Sequence, residues 1–333
     1  MTRRAELQPG IATGLGSLPH TDAAAAAAFV LRLHPELPAA PQLPHRSPSE
    51  AMVVQAVDGI PGVVVAPDGS LRVDGLDPEA EVDASFEGEA WGGLRSFLRV
   101  VSSRRRPIKL QVTGPVTLAN ALVRSGVESD LALAVASHAT RARTKALVAL
   151  AERSAPEAPV VLFLDEPSLT RWLDGDLPFS GDDAVDSLSS VLAIVGADVT
   201  TGIHCCGDTD WGLVMSAGTD IVSAPVGGGL TREPMALASF LEAGGRVAWG
   251  AVPTDGPVGA EPDRLWRRLV DEWCLLTQGG CDPALLRSHS LVTPACGLAG
   301  HTVSTAERAL ALASKIGEKV EDQALGTRLI VGA

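Results

Sequence analysis

Apolar and polar positions along this chain of 333 residues follow two periods. Short apolar, β-branched runs recur from end to end. Between them lie longer stretches in which Ala, Leu and Val return every three to four positions. The first pattern suits buried strands and the second amphipathic helices. Strands are predicted over residues 12–18, 62–66, 108–113, 160–164, 199–205, 221–224, 246–251 and 290–293. Helices are predicted over 21–33, 82–102, 116–124, 129–151, 183–195, 210–217, 233–243, 260–278 and 302–316. Such alternation implies parallel strands joined by helical crossovers. Eight of them in one chain predict an α/β fold, a single (β/α)8 TIM barrel spanning residues 1–333 as one domain. Residues 38–76 are Pro-rich and read as an inserted loop with a hairpin around Asp68-Gly69. The alternative is a doubly wound open sheet. That fold usually carries a Gly-rich phosphate loop, and none stands here in the right context.

Composition narrows the function. With 46% apolar and 20% charged residues the chain can bury a large core. A net charge of −13 disfavours nucleic acid and anionic membrane surfaces as partners. The start of the chain, Met1 to Glu6, lacks the apolar core of a signal peptide, and the Ala23 to Ala28 run is too short to span a bilayer. A cytoplasmic location is therefore expected. In a reducing compartment the five cysteines are free thiols or metal ligands.

Candidate chemistry gathers where predicted strands end, the place barrels keep their active sites. The strongest signal is His204-Cys205-Cys206-Gly207-Asp208. On an extended chain His204 and Cys206 share one face, as half of a zinc site would require, while Cys205 points away and reads as packing. The bland alternative is a buried His beside two buried Cys. A second apolar run, Leu291-Val292-Thr293-Pro294-Ala295-Cys296-Gly297, brings Cys296 to another strand end. Phe163-Leu164-Asp165-Glu166-Pro167 closes a strand with adjacent carboxylates, costly unless paired or functional. Gly14-Leu15-Gly16-Ser17-Leu18-Pro19 offers a glycine-rich end and a hydroxyl, and Thr113-Gly114-Pro115-Val116-Thr117 is explained by Pro115 opening a helix. Cys274, beside Trp273 in an amphipathic helix, reads as core. His301, five residues after Cys296, reads as a helix-start residue or a neighbour of the metal.

In their order, G-S-x-P, T-G-P-V-T, D-E-P, H-x-C and C-G-L resemble the catalytic barrel of cobalamin-independent methionine synthase. H-x-C-G-D is similar to the zinc methyltransferases of methylcobamide metabolism, in the wider uroporphyrinogen decarboxylase superfamily. The resemblance runs from Thr13 to about Leu298. It implies a barrel that holds Zn2+ with His204, Cys206 and Cys296, and a thiol substrate, homocysteine, whose sulfur accepts a methyl group. Ser17 then matches the position that binds the amino-acid carboxylate, and Asp165 the one that binds its ammonium group. Three departures stand out. Pro225 occupies the place of a Glu ligand, so that the metal is left open to water or takes a remote carboxylate such as Glu166. Ala121 replaces a Trp that stacks on folate. Asp255 replaces a catalytic His, which leaves Asp255 and Glu166 as the catalytic candidates. Without the folate-stacking Trp and the synthases' N-terminal domain, the implied methyl donor is a corrinoid or corrinoid protein. Other superfamily reactions, decarboxylation or carbon–sulfur transfer, are the runner-up. A zinc- or thiol-binding barrel without catalysis is the reading from a different class.

Overall fold

The computed structural model of the protein describes residues 4–259 and 261–331. Met1 to Arg3, part of the N-terminal segment read above, and Ala260, the expected first residue of a helix, lie outside the described residues. In chain order the regular elements are α1 (Ala23–Leu33), α2 (Met52–Val57), β1 (Val63–Val65), β2 (Leu71–Val73), α3 (Gly92–Val100), β3 (Ile108–Thr113), α4 (Pro115–Arg124), α5 (Ser129–Ser154), β4 (Val160–Asp165), α6 (Gly181–Leu192), β5 (Thr200–His204), α7 (Trp211–Ser216), β6 (Ile221–Pro225), α8 (Pro234–Glu242), β7 (Arg246–Val252), α9 (Pro262–Gln278), α10 (Pro283–Ser288), β8 (Ser290–Pro294) and α11 (Val303–Val331).

Strands β3 to β8 form one parallel sheet in sequence order. Beyond its two outer strands the pairing continues only as isolated parallel bridges. Ala12 bridges Val292 of β8, Ser17 bridges Gln42, and Ala39 bridges Lys109 of β3. The sheet is thus a curled, TIM-barrel-like one with six regular strands. The predicted strand at 62–66 is not among them. Val63–Val65 pairs antiparallel with β2 in a separate two-stranded sheet, with Val64 exposed. The neighbour of β3 is the segment through Pro38, Ala39 and Ala40. Lys109 donates its amide to Pro38 O (2.9 Å) and receives one from Ala40 (2.8 Å). Proline gives no amide to a ladder, so Pro38 and Pro41 hold this segment to isolated bridges and hide it from a strand pattern. The three valines carry strand propensity but no place in the main sheet.

Both faces of the parallel sheet are buried. Ile108, Leu110, Val112, Val160, Leu162, Leu164, Ile203, Cys205, Val222 and Trp249 face the helices in the main core. Val161, Phe163, Ile221, Ala248 and Leu291 face inward with Leu7 and Leu37. Prolines open α4, α8, α9 and α10 at positions where a missing amide costs nothing. The helix expected over 82–102 is shorter, because Asp83 turns back onto the Ser85 amide (2.9 Å) before the chain reaches α3. Cys274 lies exposed on α9, contrary to its reading as core, since Trp273 and Leu276 take the buried face. No helix among the described residues is long and apolar enough to cross a membrane.

Candidate functional site

Strand alternation decides which side chains meet inside the sheet. The register aligns Thr113 with Asp165, Asp165 with His204 and His204 with Ser223. These four therefore share the inner face near the C-terminal strand ends. His204 is buried and its Nδ1 lies 3.0 Å from Ser223 Oγ. Ser223 fixes the ring, which leaves Nε2 for other partners. Cys296, arriving at the end of β8, is hydrogen-bonded by both Cys206 and His204. The two thiols act on each other in opposite senses: Cys206 and His204 hold the Cys296 thiol well below the ordinary range, while Cys296 and burial push the Cys206 thiol up. Cys205 faces the helices, fully buried, and burial pushes its thiol up to about 12. It stands apart from this group, as its place on the opposite strand face requires.

Asp165 is buried beside the same cluster. Burial raises its carboxyl above the usual range, with the charges of Lys109 and His204 acting the other way. Its Oδ1 has no hydrogen-bond partner. A buried carboxylate oxygen without a donor is costly, and a ligand's ammonium or a cation would relieve it. Ser17 comes to the same strand end: a Cβ placed on Gly297 would lie 2.9 Å from Ser17 Cβ, and Leu298 donates its amide to Ser17 O (2.8 Å). Its hydroxyl reaches toward Gln42 Oε1 (3.4 Å), and Gln42 Nε2 bonds Gln55 Oε1 (2.6 Å). The structure therefore brings Ser17, Asp165, His204, Cys206 and Cys296 to one place.

The other two candidates lie elsewhere. Glu166 is fully buried behind the site, where its oxygens accept the amides of Val116 (2.9 Å) and Thr117 (2.7 Å) at the start of α4. Desolvation lifts its carboxyl to about 7. Its side chain fills the space that a Cβ on Gly114 would need. The D-E-P and T-G-P-V-T segments are thus two halves of one contact, a carboxylate on a helix N-terminus. Asp255 is exposed in the segment after β7 and lines a cleft of about 510 Å³ that Gly297 and His301 also border. Pro225 ends β6 and offers no oxygen ligand at the inner face.

Sequence reasoning passed over Lys109 and Phe163. Lys109 is fully buried, with Nζ 4.5 Å from the centre of the Phe163 ring and 3.4 Å from Gln111 Oε1. Burial pushes its ammonium down to about 8, opposed by Asp165. A lysine inside an apolar strand was the available signal.

One imidazole, two interacting thiols and an unpartnered carboxylate oxygen are in kind a zinc donor set. As the side chains stand, no three His, Cys, Asp or Glu among the described residues form a cluster ready to hold a metal ion. A metal bound there would have to displace thiol protons.

No protein-family model matches the chain, and no curated protein does. Among solved structures, a putative vitamin-B12-independent methionine synthase from Listeria monocytogenes superposes with a TM-score of 0.62 at 12% identity, covering 95% of this chain and 99% of that one. The chain has a TIM-barrel-like fold. The N-terminal endo-1,4-β-D-xylanase 10B of Clostridium thermocellum, in complex with xylohexaose, gives a TM-score of 0.45 at 10% identity over 96% of this chain and 69% of that one.

Proposed function

We propose that this protein is a zinc-dependent S-methyltransferase of a small thiol, homocysteine, built on a closed (β/α)8 barrel of the methionine synthase type. The observation that carries this reading is the convergence of His204 and Cys206 on Cys296 from two separate strand ends, with Asp165 beside His204 on the same inner face. His204, Cys206 and Cys296 would hold the zinc, with Ser223 orienting the imidazole as outer-sphere partners of metal-bound histidines commonly do. A bound zinc supplies the Lewis acidity that keeps an entering thiol ionised at neutral pH. Asp165, with its unpartnered oxygen, receives the ammonium end of the amino acid, and Ser17 bonds the carboxylate. Glu166 caps α4 and so holds the segment after β4 in place.

The donor we propose is a methylcorrinoid. Ala121, partly buried on α4, has no aromatic face on which a pterin could stack. The fold likeness to the Listeria protein supports the barrel, and the residue correspondences support the chemistry.

Purified protein should carry about one zinc per chain, a stoichiometry expected of a single three-ligand site. Elemental analysis of the wild type and of the Cys206→Ala/Cys296→Ala variant checks this. Full occupancy in the double variant rejects the assignment. Methionine formation from homocysteine with methylcobalamin, against methyltetrahydrofolate at matched concentration, reads the donor. A faster reaction with folate rejects the corrinoid. Zinc binding without turnover by either donor favours a barrel that binds thiols and does not transfer methyl groups.

A further inference from the structure

The cleft bordered by Asp255 adjoins the thiol centre and is not used by it. Its walls come from the segments after β7 and β8 and from the first turns of α11. Gly297 is shared: it follows Cys296, packs against Ser17 and lines the cleft. A volume of about 510 Å³ is that of a small-molecule site. His301 Nε2 donates to Thr254 O (3.0 Å), so the two loops are tied together and the walls are held. Arg308, on α11, lines the same cleft. Its guanidinium makes one weak bond, to Val258 O (3.3 Å). Among the described residues it forms no ion pair with a carboxylate. The Thr305 hydroxyl lies one turn earlier on the same helix and lines the same cavity.

We infer that this cleft is a second-substrate site that takes an anionic group, phosphate or carboxylate, on Arg308. An arginine fork matches either oxyanion in two-point contact. In TIM barrels the loops after strands seven and eight, with the helix that follows, are a common seat for such groups. Asp255 lines the same cleft and weakens the site by repulsion. The inference rests on the proposed function only for what the ligand is: a methyl donor presented to the sulfur acceptor beside Cys296. Anion binding itself needs neither metal nor thiol. Two sources share this chemistry, a phosphodiester such as corrinoid nucleotide loops carry and a carboxylate tail such as folates carry.

The test uses metal-free protein and two probes, inorganic phosphate and glutarate. Calorimetry gives affinities, and amide shifts of Gly297 and Gly300 report the place. At least one probe should bind and move those two amides. The tighter one names the source, phosphate for the phosphodiester and glutarate for the carboxylate. Arg308→Gln should weaken binding by about tenfold or more, the worth of a charge-assisted contact, while Arg308→Lys retains part of it. Asp255→Asn should tighten it. Unchanged affinity in Arg308→Gln overturns the inference, as does binding that leaves Gly297 and Gly300 unmoved or no binding of either probe. Failure of methyl transfer leaves this result standing, and failure here leaves the zinc site standing.

Discussion

At the scale of single residues, the inner face of the sheet is filled by unequal neighbours. Phe163 lies over Gly202, and a Cβ on Gly202 would run into its ring. Lys109 sits over the same ring, its Nζ 4.5 Å from the centre. Gly202 is therefore a packing requirement, set one strand turn below His204. Gly202→Ala should destabilise the protein by about 2–4 kcal/mol, the cost of overpacking a rigid core. Phe163→Leu in the same chain should recover part of that loss, because it frees the space the methyl needs. Urea unfolding of the two single variants and the double one measures the coupling, and strictly additive losses would show that the ring is not the obstacle. The chemistry at this scale was largely legible. His204, Cys206 and Cys296 announce themselves by residue type at strand ends, and Ser17 and Asp165 by their place in the motifs. Asp165 and Glu166 could not be told apart by type. Alternation separates them, sending one inward and the other onto the amides of α4. Lys109, Gln111 and Thr113 look like the wet face of an amphipathic strand. In a curled sheet covered on both sides that face is core, and the period of two carries no sign of which face is wet.

At the scale of elements, the last helix closes on the first through a buried histidine. His34 caps α1, and its Nε2 donates to Leu310 O of α11 at 3.0 Å. Burial pushes the imidazole down to about 4. The folded state thus excludes a proton that the unfolded chain takes up near pH 6.5. Stability from this residue is complete above about pH 6.5 and is lost as pH falls toward 4, by on the order of 3 kcal/mol. His34→Gln keeps a donor and removes the titration. The wild-type advantage over this variant should shrink between pH 7 and pH 4.5 in chemical denaturation, and parallel curves would reject the assignment. Most elements were readable from their periods, with boundaries shifted by a few positions where caps intervene. The first two strands were not. Their residues are extended, but Pro38, Pro41 and the glycines at 14 and 16 leave bridges where ladders were expected. Propensity favoured the valines at 63–65, which lie at the margin of the fold.

At the scale of the whole molecule, pairing strength is uneven around the sheet. From β3 to β8 each strand is held by a parallel ladder, with one register shift between Gly250 and Val252 where β7 meets β8. The seam between β8 and β3 is held by three short contacts: Gly10 to Ser290 O (2.7 Å), Val292 to Ile11 O (3.0 Å) and Thr13 to Val292 O (3.0 Å); Gln42 to Gly16 O (2.9 Å) and Leu18 to Gln42 O (2.9 Å); Lys109 to Pro38 O (2.9 Å) and Ala40 to Lys109 O (2.8 Å). Each contact of the seam holds only two or three bonds, whereas opening β4 from β5 breaks a five-residue ladder inside the core. Local openings follow that difference, since segments with sparse pairing unfold at lower free energy than the global transition. Ser17 lies on this seam, with Gly297 against it. The looseness therefore falls at the mouth of the site, where a substrate must enter and a product leave. The amides of Leu18 and Gln42 should exchange roughly a hundredfold faster than those of Leu164 and Ile203, a gap of about 3 kcal/mol in opening free energy. Native-state hydrogen exchange at single-residue resolution reads it directly. Equal protection at the seam and in β4 would mean that the bridges are as strong as the ladders, and that entry to the thiol centre does not pass through this edge of the sheet.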